Sequence, residues 1–445
     1  MREACVLGWR SADPSDRRSP IQNRGFASDQ LMPGQAVHSI DPSNPINPAP
    51  GGATEANMDY ELNEDQQSIR EAVKRICANF GPDYWLRKDR DGGFPEEFYR
   101  AIADAGWLGI AMPEAYGGAG LGITEAAILL QTIAESGGAA SACSAVHMNI
   151  FGLHPVVVFG TEEQKRRMLP PLIRGEAKAC FAITEPDAGL NTTKLKTRAV
   201  RDGDRYLITG HKVWISTAQV ADYMMIIART TPVEQVKNPT DGLSLFYTKL
   251  DRKYVEIREI DKHGRKCVDS NEVFIEGLPV PIEDRIGEEG QGFKYVLHGM
   301  NPERIFVAAE AVGAARFALD RAVQYAKERV VFDRPIGKNQ GIQHPLAECW
   351  AELEAANLMM FCAASLYDKG KPCGPEANAA KLLGSTAAVK TCQTAMLTHG
   401  GYGYAKEYHV ERMLREVMIY YIAPVSPQLI KCNIAEKKLG LPKSY

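Results

Sequence analysis

The sequence predicts an α+β protein made of a helical block, a short β-rich block and a second helical block. Three observations carry this. Apolar residues recur at helical spacing from about residue 63 to 175, short β-branched runs replace them between about 179 and 285, and helical spacing returns after Gly290-Gln291-Gly292 and lasts to about residue 435.

Seven prolines within the first 50 residues, with little periodic hydrophobicity, predict a disordered leader over 1–57. Arg2, Arg10, Arg17, Arg18 and Arg24 suit a mitochondrial transit peptide, while Glu3, Asp13 and Asp16 count against one. The helical block, 58–178, opens at Asn63, an N-cap residue with Gln66 three positions on, followed by Ile69, Val73, Ile76 and Phe80 on one helical face. Within 179–287 the runs 205–209, 212–215, 223–228, 243–248 and 272–275 read as strands, with Asp202-Gly203-Asp204 as a hairpin turn. Strand alternation would put Trp214 and Ser216 on one face. The last block, 288–445, is interrupted by Pro302; Asn301 as N-cap and Pro302 as first helical residue would start a new helix there, with Glu303 in its first turn.

With 445 residues, 45% of them hydrophobic and 24% charged, the chain is large enough for two or three domains around substantial cores. A net charge of −3 gives no electrostatic footprint for nucleic acid or an anionic membrane. Ten scattered cysteines, with no C-x-x-C pair and no histidine at zinc-ligand spacing, point to a reduced intracellular compartment and no metal site. No apolar run approaches the roughly 18 residues of a membrane span. No dinucleotide-binding glycine motif, P-loop, zinc-protease or serine-hydrolase signature is present.

Six motifs occur in order: Pro113-Glu114-Ala115-Tyr116-Gly117-Gly118; Thr184-Glu185-Pro186-Asp187-Ala188-Gly189; Lys212-Val213-Trp214-Ile215-Ser216; Gly287-Glu288-Glu289-Gly290-Gln291-Gly292-Phe293; Arg329-Val330-Val331-Phe332 with Pro335-Ile336; and Gly400-Gly401-Tyr402-Gly403. Through them the chain resembles the acyl-CoA dehydrogenase family from residue 59 onward. The resemblance implies a helical N-terminal domain, a small β-domain, a C-terminal four-helix bundle, non-covalent FAD, and a homodimer or homotetramer.

Alone, Thr184-Glu185-Pro186 reads as an ordinary turn; the resemblance implies flavin contacts at Ile183, Thr184 and Gly189. Leu190 stands where relatives carry a serine touching cofactor and thioester, and Asp187 where they carry glycine. Trp214, by itself more often a core residue, is implied to pack against the flavin, with Ser216 donating near N5. Arg329 would grip the FAD pyrophosphate across a subunit boundary, with Phe332, Gln340 and the Gly400-Gly401 backbone completing the site. Asp333 replaces a usual glycine and Leu397 a usual glutamine, and His399 reads as a structural or rim histidine.

Desaturation between the α and β carbons needs a carboxylate for the α proton while a hydride leaves the β carbon. The usual C-terminal location holds Pro424 within Ile422-Ala423-Pro424-Val425-Ser426. Met300-Asn301-Pro302-Glu303-Arg304 resembles the subgroup, isovaleryl and long-chain types, with its base on the first helix after the β-domain, which implies Glu303 as base and Asn301 and Arg304 beside substrate. A glutamate in a first helical turn also serves the macrodipole; on this reading the helix start and Arg304 lower its pKa while burial raises it. Proline has no N–H, so where relatives use the residue at Pro424 the loop shifts to let Val425 donate to the thioester carbonyl, or activation is weaker, or the alignment slips by one residue; the shifted donor is the expectation.

The resemblance implies an acyl-CoA substrate and an electron-transfer flavoprotein as partner. An oxidase using dioxygen and a non-catalytic flavin-binding scaffold are the alternatives. Mitochondrion and peroxisome both stay open as the organelle, although Pro442-Lys443-Ser444-Tyr445 is a poor peroxisomal address.

Overall fold

The computed structural model describes residues 61–444, so the leader expected over 1–57 and its transit-peptide reading lie outside the described residues. Seven helices come first: α1 (Glu64–Cys77), α2 (Pro82–Asp91), α3 (Glu96–Asp104), α4 (Ile123–Ile133), α5 (Ala139–Phe151), α6 (His154–Phe159) and α7 (Glu162–Ile173). Asn63 and Gln66 form a reciprocal capping box on α1, and Thr161 with Gln164 does the same for α7.

The stretch Ile123–Phe159 corrects one expectation, because it is helical, long and apolar enough to cross a membrane by length and composition. Its apolar residues serve another purpose. Positive φ at Gly137 and Ala139 breaks the stretch between α4 and α5, and Leu129, Ile133, Val146 and Ile150 are buried in the protein's own core.

Eight strands follow: β1 (Ala179–Ala182), β2 (Arg198–Asp202), β3 (Arg205–Ser216), β4 (Tyr223–Arg229), β5 (Leu243–Lys249), β6 (Val255–Glu259), β7 (Ser270–Pro281) and β8 (Arg285–Ile286). They form one sheet in the order β6-β7-β3-β2-β4-β5-β8, with β1 parallel to β4. The two-residue hairpin at Gly203-Asp204 joins β2 to β3 as the sequence predicts. The two runs 205–209 and 212–215, read as separate strands, are one strand, β3. Its register against β7 shifts between Lys212 and Ile215, and Trp214 sits in that bulge with φ 63°. A bulge re-aims a side chain; it, rather than plain alternation, turns Trp214 outward, where it is 59% exposed.

The C-terminal helices are α8 (Gly292–Glu328), α9 (Gln340–Asp368), α10 (Gly374–His399), α11 (Val410–Ile422) and α12 (Pro427–Lys437), with a small hairpin of β9 (Val330–Val331) and β10 (Arg334–Pro335) after α8. The helix break expected at Pro302 does not occur, since α8 runs unbroken from Gly292 to Glu328. A proline inside a helix costs about 3 kcal/mol, and here packing overrides it. Beyond Pro302, α8 is buried on nearly every side, from Ile305 through Ala315, against α4, α9, α10 and α11. Gly313 permits the α4 contact: a Cβ there would stand 2.3 Å from the Gln131 carbonyl oxygen. One core thus joins both helical blocks.

Candidate active site

With α8 continuous, Glu303 lies three turns inside a helix and cannot draw on a helix N-terminus. Its partner is His147 on α5. His147 Nε2 lies 2.8 Å from Glu303 Oε2, and its Nδ1 lies 2.7 Å from Glu310 Oε1. Glu303 keeps 29% of its side-chain surface, whereas Glu310 is 4% exposed. Burial pushes the Glu303 pKa up, but the charge and hydrogen bond of His147 outweigh it and leave the carboxyl below its ordinary range. For His147 burial acts downward, and the two glutamates together raise it well above an ordinary imidazole. This corrects the expectation that the helix start and Arg304 would lower Glu303. Arg304 instead bonds Asn301, one turn back on α8, and lies near Cys373, just ahead of α10.

The β-domain reaches the same place through Arg265, in the loop before β7. Its guanidinium donates to Ser144 Oγ at 2.9 Å, Ser216 Oγ at 3.0 Å and Ser270 Oγ at 2.9 Å. Ser144 precedes His147 by one turn of α5. Arg265 thus fastens Ser216 to α5 at Ser144, one turn before the His147 that holds Glu303.

Trp214 and the 183–185 segment are held by Lys212, a fully buried lysine on β3 that donates to the Ile183 carbonyl at 2.9 Å and to Glu185 Oε1 at 3.0 Å. Burial brings the Lys212 pKa down to about 8 against the opposing pull of Glu185. Glu185 also accepts from the amides of Lys196 and Thr197, and the Val213 amide donates to the Thr184 carbonyl at 2.9 Å. The segment is thus pinned against the strand carrying Trp214 and Ser216. Gly189 has open space where a Cβ would be, and Leu190 beside it is 60% exposed.

A second group of predicted residues gathers around the end of α8. Arg329 caps the helix, its guanidinium 5.6 Å from the centre of the Tyr402 ring. Phe332 and Asp333 form the two-residue turn of the β9–β10 hairpin, with φ 50° and 61°. An aspartate tolerates that left-handed conformation, which explains how Asp333 serves where relatives have glycine. The turn thrusts Phe332 outward, 94% exposed. Gln340 starts α9, exposed, and Gly400 and Gly401 follow α10 with nothing within 4 Å of an added Cβ. His399 is buried, bonded to the Ala395 carbonyl and stacked on Tyr325, a structural residue rather than a rim one.

The segment at Pro424 is anchored by Lys381 of α10. This fully buried lysine donates to the carbonyls of Tyr421, at 3.0 Å, and Val425, at 2.7 Å. Burial without a carboxylate partner brings its pKa down to about 8. The Val425 amide has no acceptor among the described residues.

His147, Glu310, Arg265 and Lys381 escaped the sequence reading. One signal was available: Glu303 and Glu310 are seven residues apart, two turns along one face of a helix. Their shared partner comes from a helix more than 150 positions away, which no local pattern reveals.

Residues 63–176 match the model for the N-terminal domain of acyl-CoA dehydrogenases, 180–278 that for the middle domain and 290–431 that for the C-terminal domain. The acyl-CoA dehydrogenase fadE12 of Mycobacterium bovis is 37% identical over 391 residues, covering 86% of this chain and 98% of the relative. The caffeyl-CoA reductase-Etf complex subunit CarC of Acetobacterium woodii is 36% identical over 335 residues, 75% of this chain and 87% of CarC. Butyryl-CoA dehydrogenase from Megasphaera elsdenii superposes with a TM-score of 0.82 at 29% identity, covering 86% of this chain and all of that one. The chain belongs to the acyl-CoA dehydrogenase family. It is a flavoenzyme of the dehydrogenase type with the fold expected of it. The residues present fit a flavin dinucleotide: exposed aromatic faces at Trp214 and Phe332, an exposed arginine at 329, and open backbone at Gly189, Gly400 and Gly401.

Proposed function

We propose that the chain desaturates an acyl-CoA thioester between its α and β carbons, with Glu303 as the base and FAD as the acceptor. The fastening of Ser216 by Arg265 to α5, the helix whose His147 holds Glu303, supports this reading most directly, because desaturation needs a hydrogen-bond donor at the flavin edge and a carboxylate at the α carbon in one site.

Glu303, kept as a carboxylate by His147, takes the α proton. FAD, when bound, accepts the hydride from the β carbon. Ser216 would donate at the flavin edge beside Trp214, with Ile183, Thr184 and Gly189 against the ring. Arg329, Phe332, Gln340, Gly400 and Gly401 would hold the pyrophosphate and adenine; Phe332, on its projecting hairpin, suits a neighbouring subunit, as in a homodimer or homotetramer. The free amide of Val425, on a segment steadied by Lys381, is the donor to the thioester oxygen. Asn301, Arg304 and Leu190 would contact substrate.

Electrons then pass to an electron-transfer flavoprotein. Relatives named as dehydrogenases, and one named as a subunit of an Etf complex, favour this over an oxidase. Anaerobic titration of the holoenzyme with acyl-CoAs of graded length and branching tests the reading: one or more should bleach the flavin absorbance, and bleaching by none would overturn it.

A further inference from the structure

We infer that His147, clamped between Glu303 and Glu310, is a positioning residue that holds Glu303 aimed into the site as a carboxylate, and that Glu310 is the counter-charge for the His147 cation. This rests on the assignment of Glu303 as the base.

An imidazole has two ring nitrogens, and here each faces a carboxylate oxygen at 2.7–2.8 Å. A neutral ring would set a lone pair against one of those oxygens unless that carboxyl carried the proton. The doubly protonated ring satisfies both contacts. Glu310 has no other hydrogen-bond partner among the described residues, and a buried carboxylate without a partner is costly. Its role is therefore electrostatic support of His147.

The other titratable groups packed around this triad do not compete for the role. Cys143, on the same helix, and Tyr420, on α11, are pushed far up by burial and stay neutral. Glu416 on α11 is engaged by Arg412 at 3.2 Å and by Ser141, and Arg265 stops at Ser144. Phe306 closes one side of the ring edge-on. The triad thus holds a net charge of −1 before proton abstraction and 0 afterwards. In the step, the α C–H bond breaks, its proton goes to the Glu303 carboxylate, and the electron pair left behind forms the double bond as the β C–H bond breaks and its hydride leaves for the acceptor, FAD when bound. His147 keeps both its protons throughout.

The test is the pH dependence of rapid flavin reduction in holoenzyme, using an acyl-CoA that bleaches wild type, in wild type, His147→Gln, Glu310→Gln and Glu303→Gln. In His147→Gln the acid limb of the rate should move up by about one pH unit or more, a tenfold change in proton affinity. In Glu310→Gln, imidazole NMR should show His147 titrating at lower pH than in wild type. An acid limb in His147→Gln that superimposes on wild type, with Glu303→Gln inactive, overturns the inference and leaves the base assignment standing. Glu303→Gln reducing flavin as fast as wild type overturns the base assignment itself. Should His147→Gln not fold, Glu310→Gln carries the test, and an unmoved His147 titration there counts against the inference.

Discussion

Arg265 donates to the Ser216 hydroxyl at 3.0 Å, and this bond decides which way that hydroxyl can serve. A guanidinium has no acceptor, so Ser216 Oγ must accept from it and its own hydrogen is free to donate elsewhere. The loop carrying Arg265 adopts a left-handed backbone there, φ 60°, to deliver the side chain.

Replacing Arg265 with Met should therefore remove both the orientation of Ser216 and a half-buried positive charge from the flavin edge. The expected result is a flavin midpoint potential about 30 mV more negative, equivalent to about 1.4 kcal/mol for a two-electron couple. Spectroelectrochemistry measures it directly, and an unchanged potential would show that Arg265 is only a structural tie.

Lys381 fastens the Pro424 segment by two carbonyls, Tyr421 and Val425. Lys381→Met should leave FAD bound but misplace the Val425 amide, slowing flavin reduction by about 100-fold, the scale of a 1 Å displacement. Stopped-flow rates together with the flavin-to-protein ratio separate this from loss of cofactor.

Asp89 on α2 forms a two-pronged pair with Arg415 on α11, at 3.0 and 2.7 Å, and Arg415 also holds Glu411. Burial pushes Asp89 up, but Arg415 outweighs it and leaves the pKa below the ordinary value. A depressed carboxyl contributes stability at pH values above its unfolded pKa, and loses it as pH falls through the folded one. Asp89→Asn should cost about 3 kcal/mol at neutral pH, and the gap to wild type should narrow in acid below about pH 4. Urea melts at neutral and acid pH check this; a gap that stays constant would mean the pair is not its source.

Much of the fold is legible in the sequence because local rules and tertiary structure agree there. The Asn63 cap, the Gly203-Asp204 hairpin and the return to helix after Gly292 are local features, and all occur. Pro302 has a local preference to start a helix, but the burial of the helix around it is stronger and α8 runs through it. The site divides the same way. Glu303 and Ser216 stand in motifs that can be read in line, and Trp214 does too, although the bulge that exposes it cannot. His147, Glu310, Arg265 and Lys381 act through contacts between elements far apart in the chain, and only the folded structure brings them together.

The most direct test of the central claim compares anaerobic flavin reduction in wild type and Glu303→Gln holoenzyme with the same acyl-CoA. Wild type should bleach and the variant should be slower by about 10²–10⁴-fold, the range for loss of a general base, with FAD still bound. A variant that bleaches at the wild-type rate would contradict the assignment of Glu303 and with it the proposed chemistry of this site.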